Sequence, residues 1–307
     1  LLGVFSNLML LERKVLGWFQ MRIGPNRTGP WGLLQPIADA VKLFVKEDTM
    51  PRDADPIVYR LAPALSLFTA LAAFALIPVG PPLRVGGVEI PLSMADPHAG
   101  LLVLLAFTSL GVYGIALGGW ASQSKYALLG SMRATAQMIS YELAMSVSLL
   151  GVLVAAGSVR LPDIVAAQAG WPFALTQPVG FLVFFICALA ETNRAPFDLP
   201  EAETELVAGY HTEYSGIRFG MFGMAEYINT ITMASLITLL YLGGWHGPLL
   251  PPVVWFLIKT GAVIFVFFWL RATVPRLRYD RLMAFGWKVL LPAAFVNLLG
   301  VAAWVAW

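Results

Sequence analysis

Three carboxylates stand where a carboxylate is costly. Glu142 lies in QMISYELAMSVS, Glu226 lies in MAEYIN, and Glu191 closes the apolar run ending ALAE. A charged side chain near the middle of a bilayer costs roughly 2.5–3.5 kcal/mol on insertion scales, so such groups face protein or water. A single acid of this kind reads equally as a helix-to-helix hydrogen bond or as a functional group. Three of them, with Gln137, Tyr141, Tyr227 and Asn229 beside them in sequence, point to a hydrated proton path.

A second acidic set lies between Glu191 and Arg218, in ETNRAPFDLPEAETELVAGYHTEYSGIR. Glu191, Asp198, Glu201, Glu203, Glu205 and Glu213 face only Arg194 and Arg218 as basic residues. Asp198-Leu-Pro-Glu201 fits a helix-capping box with proline in the first turn, which accounts for two of the acids. Glu201 and Glu205 are four apart on one helix face and repel. Such a pair is tolerated when it binds a cation, faces water or shares a proton. His98, His211 and His246 fall on different loops without metal-ligand spacing, so no metal site is expected.

The basic counterpart is MRIGPNRTGP, residues 21–30, where two Gly-Pro pairs impose tight turns and Arg22 and Arg27 project from them. No Gly-Lys-Ser/Thr follows, so it is not a phosphate-binding loop. A topology-setting turn with headgroup contacts explains it equally well. From Trp31 to Glu47, apolar Trp31, Leu34, Ile37, Ala38, Val41, Phe44 and Val45 recur at helical spacing opposite Gln35, Asp39, Lys42 and Lys46. That is an amphipathic helix, too charged to span. It either lies flat among headgroups or lines the mouth of a lateral cavity, where a bulky residue at Ala38 would obstruct entry.

These groups need a scaffold, and composition names its kind. Of 307 residues, 58% are apolar and 12% charged, with a mean hydropathy of +0.74. A soluble domain carries about 25% charged residues, so an ordinary globular enzyme and a disordered chain are both excluded. The expected fold is all-α: a polytopic membrane protein, one domain over 1–307, with about eight spanning helices plus cytoplasmic amphipathic helices. The runs lie near Leu1–Phe19, Ile57–Val79, Ala99–Gly119, Ala134–Gly157, Phe173–Ala190, Phe219–Gly243, Pro252–Leu270 and Gly286–Trp307. The first is expected to begin before Leu1. The connections near 20–57, 120–133, 191–218 and 271–285, counted with their flanks from Arg13 to Arg60 and from Arg271 to Lys288, hold 17 of the 20 Lys and Arg, leaving only Arg84, Arg160 and Lys259 elsewhere. The positive-inside rule therefore puts those connections in the cytoplasm and both termini outside. The net charge of +2 offers no field for nucleic acid, and a lone Cys187 permits no disulfide within the chain and no protein-held iron–sulfur cluster. No internal repeat is visible, unlike the inverted-repeat carriers.

Taken in order, ERKVLGWFQMRIGPNRTGPWGLLQPIADAVKLFVKED, GWASQSKYALLGSMRATAQMISYE, AETNRAPFDLPEAETELVAGYHTEYSG and RATVPRLRYDRLMAFGWK resemble the subunit 1 family of respiratory complex I, the family of H-type membrane subunits of NADH-quinone oxidoreductase. The resemblance implies a multi-pass subunit of the bacterial inner membrane, without a redox cofactor of its own, forming most of the entry tunnel for ubiquinone or menaquinone. FMN and iron–sulfur clusters would sit on partner subunits, and the partners would be the quinone-site and terminal-cluster subunits of the hydrophilic arm and the small and antiporter-like membrane subunits. It assigns Arg22, Arg27, Asp39, Lys42 and Lys46 to the quinone cavity. Glu142, Tyr141, Glu191 and Glu226 fall to a proton path, Asp198, Glu201, Glu203 and Glu205 to a coupling loop, and Arg271, Arg276, Arg278 and Asp280 to the interface with the hydrophilic arm. Ser109-Leu110 departs from bacterial members that carry a Glu there. The homologous subunit of a membrane-bound hydrogenase or F420H2 dehydrogenase, a free-standing ion carrier and a structural anchor are the competing readings.

Overall fold

The computed structural model describes residues 2–85, 88–198 and 208–307. In chain order the helices are α1 (Leu2–Phe19), α2 (Gln35–Val45), α3 (Pro56–Ala75), α4 (Gly100–Ala121), α5 (Lys125–Ala156), α6 (Leu161–Ala167), α7 (Phe173–Thr176), α8 (Pro178–Glu191), α9 (Gly216–Tyr241), α10 (Pro252–Thr273), α11 (Tyr279–Phe285) and α12 (Leu291–Ala306). The π-helical turn Gly286–Leu290 joins the last two. A short antiparallel hairpin, Leu83–Val85 with Val88–Ile90, interrupts the connection between α3 and α4 and was not expected from the sequence.

Each apolar run is helical, as the sequence led us to expect for a polytopic membrane protein. Among the described residues, five helices are long and apolar enough to cross a membrane: α3, α4, α5, α10 and the rod formed by 279–306. The other three expected spans fall short for visible reasons. α1 carries Glu12, Arg13 and Lys14 in succession. α8 has 14 residues, because non-helical Gln177 (φ −131°, ψ 60°) separates it from α7. α9 includes Arg218 and Glu226 and several threonines. Two boundaries need correction. α5 begins at Lys125 rather than near Ala134, so Lys125 and Arg133 lie on a helix and not in a loop. The amphipathic helix is Gln35–Val45 rather than Trp31–Glu47, because Trp31 (φ 59°) and Gly32 (φ 77°) turn the chain just before it. A side chain at position 32 would also collide with the Pro25 carbonyl, so glycine is required there.

Local sequence explains the helix ends. Asp55 caps α3 by accepting from the Ile57 and Val58 amides at 3.0 and 3.2 Å, with Pro56 in the first turn. Gly157 closes α5 in the left-handed region at φ 67°. α3 packs on α4 across Gly111, Gly114 and Gly118, where small residues let two backbones approach. α5 runs centrally against α4, α8 and α12. The main core gathers Tyr141, Met145, Phe184, Leu236, Phe267 and Phe268, all buried.

Three contacts fix the non-helical segments that matter below. Tyr59 and Tyr214 stack at 4.2 Å, the Tyr59 hydroxyl donating to the Glu213 carbonyl at 2.7 Å. The Gln137 amide donates to the Ala190 and Phe197 carbonyls, each at 2.9 Å, tying the segment after α8 to α5. At the opposite end of α9, the Lys259 ammonium of α10 donates to the carbonyls of Leu242 and His246, each at 2.7 Å, and of Gly244 at 3.1 Å.

Candidate functional site

A cavity of about 850 Å³ opens between α1, α2, α3, α9 and the turn around Tyr210. Its walls are apolar over most of their area, with Met9, Ile37, Phe44, Leu67, Phe219 and Met224 contributing. Polar groups converge at one place: Arg194, Glu226, Tyr227 and Arg271 also line it. An apolar enclosure with a few grouped polar side chains is the general form of a site for a small organic ligand. Here the shape suits an elongated amphiphile with a polar head.

The polar end is a four-charge cluster. Arg194, just after α8, reaches Glu12 of α1 at 2.7 Å and Glu226 of α9 at 3.0 Å. Arg271, in the last turn of α10, pairs with the other Glu12 oxygen and suits the carboxyl end of its helix dipole. Arg194 also lies 4.2 Å over the Tyr227 ring. The Arg194 and Glu12 side chains are each only 2% exposed, so neither charge has water to fall back on. Burial opposes the Arg194 charge, but Glu226 and Glu12 raise its pKa above the ordinary value. Two guanidinium groups thus stand against two carboxyl groups.

Behind Glu226 is a second, smaller cavity of about 30 Å³, lined by both Glu226 and Glu191 together with Ser66, Asn193, Tyr210 and Asn229. That volume accommodates about two water molecules. Among the described residues, the Ser66 hydroxyl, one Glu191 oxygen and the Asn229 carbonyl oxygen are buried without a hydrogen-bond partner, which suits water there. Further along, the Ser109 hydroxyl donates to Glu142. The residue that departs from the family pattern thus touches the carboxylate of the adjacent helix.

The expected site residues distribute as follows. Glu226 and Glu191 share one cavity wall, and Glu142 is half-buried on α5. Tyr141 is turned away from that line: its hydroxyl donates to the Leu282 carbonyl at 2.9 Å and its ring packs on Phe197. Of the five residues assigned to the cavity, Asp39 lines it, pairing with Arg13 at 2.8 Å. Arg22, Arg27, Lys42 and Lys46 are exposed and not part of its lining, because they lie on the outer face of α2 and its preceding turn. Ala38 is likewise outside the lining, whereas Ala40 is in it. Arg271 belongs to the buried cluster. Arg276 instead pairs with Asp198 at 2.7 Å, and the Leu277 amide donates to the Pro196 carbonyl at 3.2 Å, so the segment after α10 is joined to the start of the acidic loop. Arg278 and Asp280 form an exposed pair. Glu201, Glu203 and Glu205 lie outside the described residues.

Sequence reasoning missed Glu12, Arg194 and His211. Glu12 is visible in the sequence only as one of three charges in a weak apolar run, where a charge can either snorkel or face protein. Arg194 was visible as one of two arginines among six acids. Nothing in the sequence singled out His211.

The turn that carries Tyr210 and His211 rests on Gly130 of α5. A Cβ there would stand 2.8 Å from the Gly209 Cα and 2.9 Å from the Tyr210 amide nitrogen, both backbone atoms that yield only by displacement. Gly130→Ala should lower stability by about 1–3 kcal/mol, as overpacking does. Gly300→Ala, with open space around it, should leave the thermal midpoint of the detergent-solubilised protein unchanged. Equal midpoints for the two variants would refute the close contact.

Known proteins resemble this chain along its whole length. The profile of the NADH dehydrogenase family matches residues 1–302. The chain is 57% identical to an H-type subunit of the NADH-quinone oxidoreductase of Syntrophobacter fumaroxidans, over all of this chain and 93% of that protein. It is 56% identical to the corresponding subunit from Syntrophotalea carbinolica, again over all of this chain and 93% of the relative. Identity to the corresponding subunit of Geobacter metallireducens is 57%, covering 99% of this chain and 92% of the relative.

Proposed function

Because this chain belongs to the NADH dehydrogenase family, we propose that it is the membrane subunit through which an NADH-quinone oxidoreductase admits its quinone and couples quinone reduction to proton translocation. One observation carries the reading: an apolar cavity of about 850 Å³ that ends on the Glu12–Arg194–Glu226–Arg271 cluster. The isoprenoid tail of a quinone fits apolar walls, and its ring carbonyls fit an end rich in hydrogen-bond donors. A hydrogenase-type relative would have no use for such a cavity.

The electrons come from partner subunits, which carry FMN and iron–sulfur clusters. The quinone takes up two electrons and two protons to become quinol. This chain's part is to seat the ring near Arg194 and Arg271, keep bulk water out with the α2 and α9 walls, and pass the resulting change in charge to Glu226. From Glu226 the small polar cavity leads to Glu191, and Glu142 on α5 continues the route. The acidic loop, from Asp198 through Glu201, Glu203 and Glu205, is joined to the segment after α10 by Arg276. It is the element we assign to coupling, and Arg278 and Asp280 face the hydrophilic arm. The distribution of Lys and Arg supports both termini lying outside, and the family resemblance supports a place in the bacterial inner membrane. Other membrane subunits and surrounding lipid cover the exposed apolar helix faces.

The cavity is tested at Ala40. In the assembled enzyme, Ala40→Phe should raise the apparent KM for a long-tailed quinone about tenfold, the loss expected when a well-packed tail must be displaced. Ala38→Phe, just outside the lining, should change it little. Unchanged kinetics in Ala40→Phe would remove α2 from the quinone route.

A further inference from the structure

The charged groups lining the large cavity have partners within the chain: Asp39 has Arg13, and Arg194, Glu226 and Arg271 have one another and Glu12. His211 differs. It lines the same cavity, and its ring meets the edges of Tyr210 at 4.9 Å and Phe219 at 5.2 Å. Among the described residues it forms no side-chain hydrogen bond. Its position is nonetheless well determined. The backbone is held by the Tyr214 amide, which donates to the His211 carbonyl at 3.0 Å, and the whole turn is clasped to α3 by the Tyr59–Tyr214 stack. Burial pushes the imidazole down to about 4, so the ring is neutral at physiological pH. A neutral imidazole carries one N–H donor and one nitrogen acceptor. His211 is partly exposed where it lines the cavity, so its ring nitrogens are open to water or to a ligand there.

We infer that His211 is a quinone-contacting residue in the cavity, exchanging a hydrogen bond with a ring oxygen of the quinone or quinol. The two nitrogens suit both redox forms: the donor meets a quinone carbonyl, and the acceptor meets a quinol hydroxyl. The contact adds no charge to an apolar wall, so neither form is trapped by it. Tyr210 and Phe219 stand steeply inclined to the imidazole, at 90° and 69°, and hold its plane where it lines the cavity. This inference rests on the quinone reading of the cavity.

The test uses the assembled enzyme with NADH and decylubiquinone, comparing wild type with His211→Phe and His211→Asn. Phenylalanine keeps an aromatic ring and removes both nitrogens, while asparagine keeps a donor and an acceptor. Loss of one neutral hydrogen bond predicts a KM raised roughly three- to tenfold in His211→Phe, with kcat changed less than about twofold. His211→Asn should stay near wild type. If His211→Phe keeps the wild-type KM, or if both variants raise it equally, the inference fails. Photolabelling of the wild-type enzyme with an azidoquinone separates that failure from a failure of the cavity reading. Label on α2 or α9 with unaltered His211→Phe kinetics overturns only the His211 contact. Label wholly outside this chain overturns the quinone reading and the contact together.

Discussion

Replacing Arg194 by methionine should abolish quinone reduction, and most of the loss should come from the cluster it holds. Methionine keeps an unbranched apolar stem, but it is two atoms shorter than arginine and carries no charge. In its absence Glu12 and Glu226 would face each other without the guanidinium between them, and Glu12 would keep only Arg271. Removing one partner of a buried ion pair costs about 3–5 kcal/mol, because the other charge stays buried. Whole domains are stable by only about 5–15 kcal/mol, so one substitution removes a large share. The amount of assembled enzyme in membranes should fall with the activity. Arg194→Lys should recover part of both, since a lysine restores the charge but not the fork that reaches two carboxylates. Adding Glu12→Gln to Arg194→Met should recover assembly by neutralising the stranded acid. Normal assembly and turnover in Arg194→Met alone would show that the cluster holds nothing.

The second large effect is expected at Glu142. Glutamine there retains an acceptor for the Ser109 hydroxyl, so the contact between α4 and α5 survives. What it removes is the ability to take up and release a proton. In sealed vesicles, Glu142→Gln should bring NADH-driven proton uptake to background and slow quinone reduction, with enzyme content unchanged. Ser109→Ala, which leaves the carboxyl in place, should lower pumping only partly. Wild-type pumping by Glu142→Gln would exclude it from the path.

The two predictions differ in how visible their residues were beforehand. Glu142 could be found because an acid within an apolar run stands out against its neighbours, and the spans were legible for the same reason: hydropathy is local. Arg194 could not be ranked, because its importance comes from where α1, α9 and α10 converge on it, and convergence is not written in any one segment. A related limit bears on Lys42 and Lys46, which do not line this cavity. Helical periodicity separates a polar stripe from an apolar one on α2, but does not say which stripe faces a neighbouring helix. Here the apolar stripe lines the cavity and the lysines are exposed. Tyr141 was placed beside Glu142 by sequence proximity, although adjacent helical residues point about 100° apart. The glycines of α4 read only as apolar-run residues, and Gly130 only as part of a connection, until the partner backbone is seen against them. The short hairpin after α3 escaped notice because its strands are three residues each.

Lys259 gives α9 a fixed end. With its ammonium holding three carbonyls just past Tyr241, the helix has a pivot at one extremity and Glu226 near its middle. At about 1.5 Å of rise per residue, the lever arm from Leu242 to Glu226 is roughly 24 Å. A tilt of about 3° would then carry the Glu226 carboxylate about 1.3 Å, enough to break its 3.0 Å contact with Arg194, while the anchored end hardly moves. A lysine at one end of α9 thus converts a small rotation into a make-or-break contact more than four turns away.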